Sequence, residues 1–159
     1  MLFFFSFQYF CLLLLHTHLP KKEGLIQRAG TMPGTFDKSE RLCSVKVISC
    51  LFENGKIFYA PLFKVVWASS QVVLPFPAQV AFSVSKRTFK LAVTRNLIKR
   101  RMREAYRKNK HLLYEHLAAV NRQIVFMIIF RGNKVPDYQS IEKSVTEVLE
   151  KLIDLTVNR

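Results

Sequence analysis

Residues 86–110 carry eleven Lys and Arg side chains and a single acid, Glu104. Cations at this density neutralise phosphates and release the counterions condensed on a nucleic acid. Arginine adds two-pronged hydrogen bonding to phosphate oxygens. Arg95, Lys99 and Arg103 recur every four residues, with Arg100 and Arg107 beside them. A helix gathers such a series on one face. A helical face that is merely solvated mixes signs, with acids spaced to pair with bases. Here one acid stands among eleven bases. The 159-residue chain has a net charge of +14 and a pI of about 10.1, and this one segment supplies +10 of that charge. The charge is therefore a patch, and a polyanion is the expected partner. A basic helix that binds an anionic membrane favours Trp or Phe on its apolar side. The apolar stripe here is Leu91, Ile98, Met102 and Ala105. No helix-turn-helix, zinc finger or zipper is evident, which tilts the expectation from DNA toward RNA.

No arrangement of side chains points to catalysis by the protein itself. There is no Gly-rich phosphate loop and no HExxH, and the eleven acids are dispersed, with Glu142, Glu147, Glu150 and Asp154 near the C-terminus, where a solvated helical face accounts for them. His111 and His116 lie five apart with no third ligand nearby. Cys11, Cys43 and Cys50 are odd in number and form no CxxC, so neither a disulfide framework nor a cysteine zinc site is expected. A reducing, cytoplasmic setting fits best. No catalytic residue and no protein-held metal is assigned.

Half of the residues are apolar, enough for a real core and too many for a disordered basic tail. Ser44 can cap a helix over residues 44–53 in which Val47 and Leu51 face the core, and Gly55 can end it in a left-handed cap conformation. Residues 56–59 and 62–68 are rich in branched and aromatic side chains and read as strands, followed by a Pro-containing loop over 69–78. Residues 79–85 alternate bulky Val80, Phe82 and Val84 with small Ala81, Ser83 and Ser85, giving a strand with one open face. The basic helix spans 90–109. The run at 123–130 is nearly all apolar, as in a strand buried on both faces. Asp137 can cap a last helix whose buried stripe is Ile141, Val145, Val148, Leu149 and Leu152. The order predicts an α+β fold, a two-layer sandwich of about four strands with helices packed on it.

Residues 1–15 are almost wholly apolar, but no basic residue precedes Lys21, as a signal peptide would need. The stretch also falls short of the roughly 20 apolar residues of a membrane span. Residues 1–31 are read as an extension outside the fold, with Met32 the expected true start. The domain is placed at 32–154, with 155–159 as a tail.

From Ser85 to Tyr106 the sequence resembles the hallmark tract of the bacterial ribonuclease P protein family. Ser85-Lys86-Arg87, Arg95-Asn96-Leu97, Lys99-Arg100, Arg103-Glu104 and Tyr106 stand at the family's spacing, and Arg41-Leu42, Phe52 and Gly55 extend the likeness over residues 36–152. The family has a third Arg at Leu97, an aromatic at Ile48, and an aromatic or aliphatic cleft residue at Lys64 or Val66. The resemblance implies a left-handed βαβ crossover. It also implies a ribonucleoprotein endoribonuclease whose RNA subunit does the chemistry, with Mg2+ held mainly by RNA. The protein then binds that RNA and the 5′ leader of precursor tRNA, with no stable protein partner and no membrane. The residues implied for the RNA subunit are Lys86, Arg87, Lys90, Arg95, Asn96, Lys99, Arg100 and Arg103. Those implied for the leader are Ile48, Phe52, Lys64 and Val66, in a cleft between the first helix and the sheet. Two rivals remain: a general RNA-binding protein of ribosomal type, and a membrane-active cationic protein anchored by residues 1–15.

Overall fold

Alternation along the strands decides which side of the sheet each element covers. The computed structural model describes residues 35–70 and 72–157, so the expectations about residues 1–31 and a start at Met32 fall outside the described residues. After a 3-10 turn at Lys38–Glu40 come α1 (Val45–Asn54), β1 (Lys56–Tyr59), β2 (Phe63–Ser69), β3 (Ala78–Val84), α2 (Ala92–Ala119), β4 (Ile124–Phe130) and α3 (Tyr138–Val157). The sheet order is β1-β2-β4-β3. The β1–β2 and β2–β4 pairs are antiparallel, while β3 and β4 are parallel, with α2 carrying the chain between them. The predicted α+β architecture with four strands is thus observed.

On one face Phe63, Val65 and Trp67 of β2 join Val80 and Val84 of β3 and Ile124, Phe126, Ile128 and Phe130 of β4. These meet Ile98, Met102, Tyr106, Leu113 and Leu117 of α2 and the apolar stripe of α3. On the other face Val66, Val125 and Met127 lie with Leu51 of α1, Leu42 and Leu74, and Val47 and Ile48 pack at the margin. With helices on both sides, β4 is buried at six of its seven residues, which is why its sequence lacks alternation. Removing such a side chain from water contributes about 1.5–3 kcal/mol.

Several local expectations need correction. Ser44 does cap α1, through its carbonyl, which accepts from Ile48 N at 3.0 Å, but its hydroxyl makes no cap hydrogen bond. Gly55 is extended, with φ −75° and ψ 147°, not left-handed. Glycine is needed there for space: a β-carbon would run into the Leu51 carbonyl oxygen and sit 2.8 Å from Val66 Cγ1. The basic helix does not stop at Asn109. Asn109 stays in the helix and donates to Ala105 O at 2.9 Å, and Leu113 and Leu117 continue the buried stripe. The helix runs to Ala119 and is closed by Asn121, in the left-handed region at φ 49°, where Arg122 N donates to Leu117 O and Asn121 N to Ala118 O. Leu91, placed by sequence on the docking stripe, precedes the helix and is 71% exposed. The last helix runs through Val157, beyond the expected boundary at 154: Thr156 is buried, and its carbonyl accepts from Arg122 Nη1 at 2.9 Å.

Candidate nucleic-acid interface

The basic surface begins where β3 ends. Ser85 Oγ accepts from the amides of Arg87 and Thr88, and Phe89 N donates to Ser85 O at 3.1 Å, closing a tight turn. Phe89 turns inward against Phe130, with ring centroids 5.9 Å apart. Anchoring this one side chain leaves Lys86, Arg87 and Lys90 exposed around it. Arg95, in the first turn of α2, reaches back and donates from Nη1 to Phe89 O at 2.8 Å and to Lys90 O at 2.6 Å. It therefore braces the loop that presents its neighbours. Asn96 and Arg100 are exposed, and Lys99 and Arg103 are half-buried along the same helix. All eight residues expected to meet an RNA subunit are thus brought together on one loop and the first three turns of α2.

The rest of the cationic segment divides by role. Arg101 Nη1 donates to Pro136 O at 2.6 Å and ties α2 to the start of α3. Arg107 pairs with Glu104 at 2.7 Å, and this hydrogen bond holds the Glu104 carboxyl below its ordinary pKa. Lys110 leaves the patch altogether. It is buried and paired with Glu40, 2.6 Å from each carboxylate oxygen, while Tyr114 Oη donates to Glu40 Oε2 at 3.2 Å. Lys110 Nζ also donates to Thr35 O at 2.5 Å. The pair straps the N-terminal segment onto α2, and Leu42 N donates to Val80 O at the outer edge of β3.

The second group of expected site residues surrounds α1. Phe52 is 51% exposed, Ile48 is half-buried at the margin of the core, and Lys64 is half-buried on β2. Val66 does not belong with them. It is 1% exposed, because Gly55 brings the end of α1 down on it. Val66 is a core residue and has no surface to offer a ligand. The register shows what sequence reasoning missed: Tyr59 pairs with Lys64, Lys64 with Ile129, and Ile129 with Ser83, one continuous row across the face that carries α1. Tyr59 is 55% exposed, and the Arg131 guanidinium lies 4.8 Å from its ring centroid. The row thus offers an exposed ring carrying the Arg131 guanidinium, the Lys64 cation and the small Ser83 on the face that α1 covers. Only the aromatic and basic residue types hinted at this, since no single sequence reveals strand register.

Among the described residues no group of three or more His, Cys, Asp or Glu side chains is placed to hold a metal ion, and no helix is long and apolar enough to cross a membrane. Cys43 and Cys50 are exposed free thiols.

A basic loop and helix beside a sheet groove, on an α+β frame, define a nucleic-acid-binding domain. The Ribonuclease P family model matches residues 36–153. The chain is 35% identical to the "Ribonuclease P protein component" of Porphyromonas gingivalis over 126 residues, 77% of this chain and 90% of that protein. It is 31% identical to the protein of the same name from Chlorobaculum tepidum, covering 70% of this chain and 77% of that one. Among solved structures, the Staphylococcus aureus RNase P protein has a TM-score of 0.59 at 22% identity, covering 72% of this chain and 96% of that one. The Thermotoga maritima RNase P protein has a TM-score of 0.57 at 19% identity, covering 70% and 96%. These structural likenesses show the shared fold. The chain belongs to the ribonuclease P protein family.

Proposed function

We propose that this chain is the protein subunit of a ribonucleoprotein ribonuclease P and acts in tRNA 5′ maturation. It binds the catalytic RNA subunit through the turn after β3 and the first turns of α2. It holds the 5′ leader of precursor tRNA along the row Tyr59–Lys64–Ile129–Ser83 beside Phe52. The RNA carries out phosphodiester hydrolysis with Mg2+ that it largely holds itself. The protein's part is charge and position. Lys86, Arg87, Lys90, Lys99, Arg100 and Arg103 neutralise phosphates of the RNA subunit, and the released counterions drive association. A single-stranded leader exposes base faces that can stack on aromatic rings, and Phe52 and Tyr59 offer such rings. The exposed free thiols suit a reducing cytoplasm.

The observation that carries this reading is the concentrated basic surface on the β3–α2 junction of a chain from this family. The test is competition binding of the chain to a ribonuclease P RNA against an unrelated structured RNA of equal length. The expected result is a preference of at least about a hundredfold at matched salt, since specific complexes exceed non-specific ones by several kcal/mol. Equal affinity for both would favour a general RNA-binding protein.

A further inference from the structure

The cationic face of α2 is interrupted by Leu97, an aliphatic side chain that is 40% exposed one turn before Arg100 and Arg101. It shares a shallow depression of about 480 Å³ with Phe36, Arg100, Arg103, Arg107 and Tyr138. The depression is pre-shaped. Arg101 is held by Pro136 O, Arg107 by Glu104, and Phe36 stands edge-on to Tyr106 at 5.6 Å. Glu104 also lines it, with its charge offset by Arg107.

Resting on the proposed RNA-binding role, we infer that this depression takes one unpaired nucleotide of the RNA subunit, with its base against Leu97 and its phosphate between Arg100 and Arg103. The chemistry selects this occupant. A duplex shows the protein mainly phosphates and riboses, which aliphatic and aromatic side chains do not recognise. A base out of the stack offers a flat apolar face and brings its own phosphate with it. The surrounding arginines exclude an apolar peptide, which would leave them facing a neutral partner. Leu97 thus adds a salt-independent contact inside a salt-dependent interface.

The test is binding of the full chain to the ribonuclease P RNA of Porphyromonas gingivalis across a KCl series. Leu97→Ser is expected to weaken binding about fivefold or more at every salt concentration, giving a line parallel to that of the unaltered chain. Leu97→Met, which keeps the apolar contact, is expected to restore the original line. Arg103→Ala is expected to flatten the slope. A Leu97→Ser line that coincides with the original, or a loss accompanied by a changed slope, overturns the inference while leaving the RNA-binding role intact. An unaltered chain with no salt-dependent affinity for this RNA overturns both.

Discussion

Lys99 and Arg95 lie on the same flank of α2, yet they are held differently. Lys99 has no hydrogen-bond acceptor among the described residues, whereas Arg95 is bonded to two carbonyls of the preceding loop. Lys99→Ala is expected to weaken RNA binding and reduce the salt slope by roughly 0.9 per duplex phosphate contact, or roughly 0.7 on a single strand. Its unfolding free energy should stay within about 0.5 kcal/mol. Arg95→Ala should lower affinity as well and also cost about 1–2 kcal/mol in urea unfolding, through the loop bonds it removes. A similar division separates Phe52 from Val66. Phe52→Ala should leave stability nearly unchanged and weaken binding of precursor tRNA relative to mature tRNA. Val66→Ala should destabilise by about 2 kcal/mol, through two lost methyl groups and the cavity they leave. The family resemblance placed both near the groove. The difference between them is a matter of packing under α1, which residue type does not encode.

At the scale of elements, the strap formed by residues 35–42 depends on the Glu40–Lys110 pair. Glu40→Gln strands the buried Lys110 ammonium and is expected to cost about 3–5 kcal/mol, read by denaturant unfolding. Replacing both with apolar residues, Glu40→Leu with Lys110→Met, should recover most of that loss. An additive loss in the double variant would contradict the pairing. The cap of α3 gives a pH signature. Asp137 accepts from Ser140 Oγ at 2.6 Å and Ser140 N at 3.0 Å, which lowers its pKa below the ordinary 3.8. A depressed carboxylate contributes stability that is complete above its unfolded pKa and fades as pH falls through the lower folded value. Asp137→Ala should therefore lower the Tm at pH 7, and the gap from the unaltered chain should narrow on acidification below about pH 4. Elements defined by periodicity were legible, and so were the Asp137 cap and the doubly buried β4, the latter from its continuous apolar run. Their ends were less so. Asn109 and Asn121 are the same residue type, and only the buried Leu113 and Leu117 between them decide which one stops the helix.

For the whole molecule, the sheet joins the two surfaces proposed to bind RNA. Its α1 face carries the groove row, and its parallel edge strand β3 passes from Ser83 in that row, within two residues, into the basic turn. Under the proposed function, one surface spans the leader and the RNA subunit without a hinge between them. The charge cluster and the order of elements could be read in the sequence because both are local. The row Tyr59–Lys64–Ile129–Ser83 could not, because it joins four strands whose pairing depends on long-range packing. The most direct test of the account is reconstitution. The chain is combined with a ribonuclease P RNA from a related bacterium at low magnesium, and cleavage of a precursor tRNA is followed. The account predicts leader removal at the mature 5′ end that requires both components and is impaired by Lys99→Ala and Phe52→Ala. Tight binding of the RNA with no gain in cleavage over the RNA alone would contradict it.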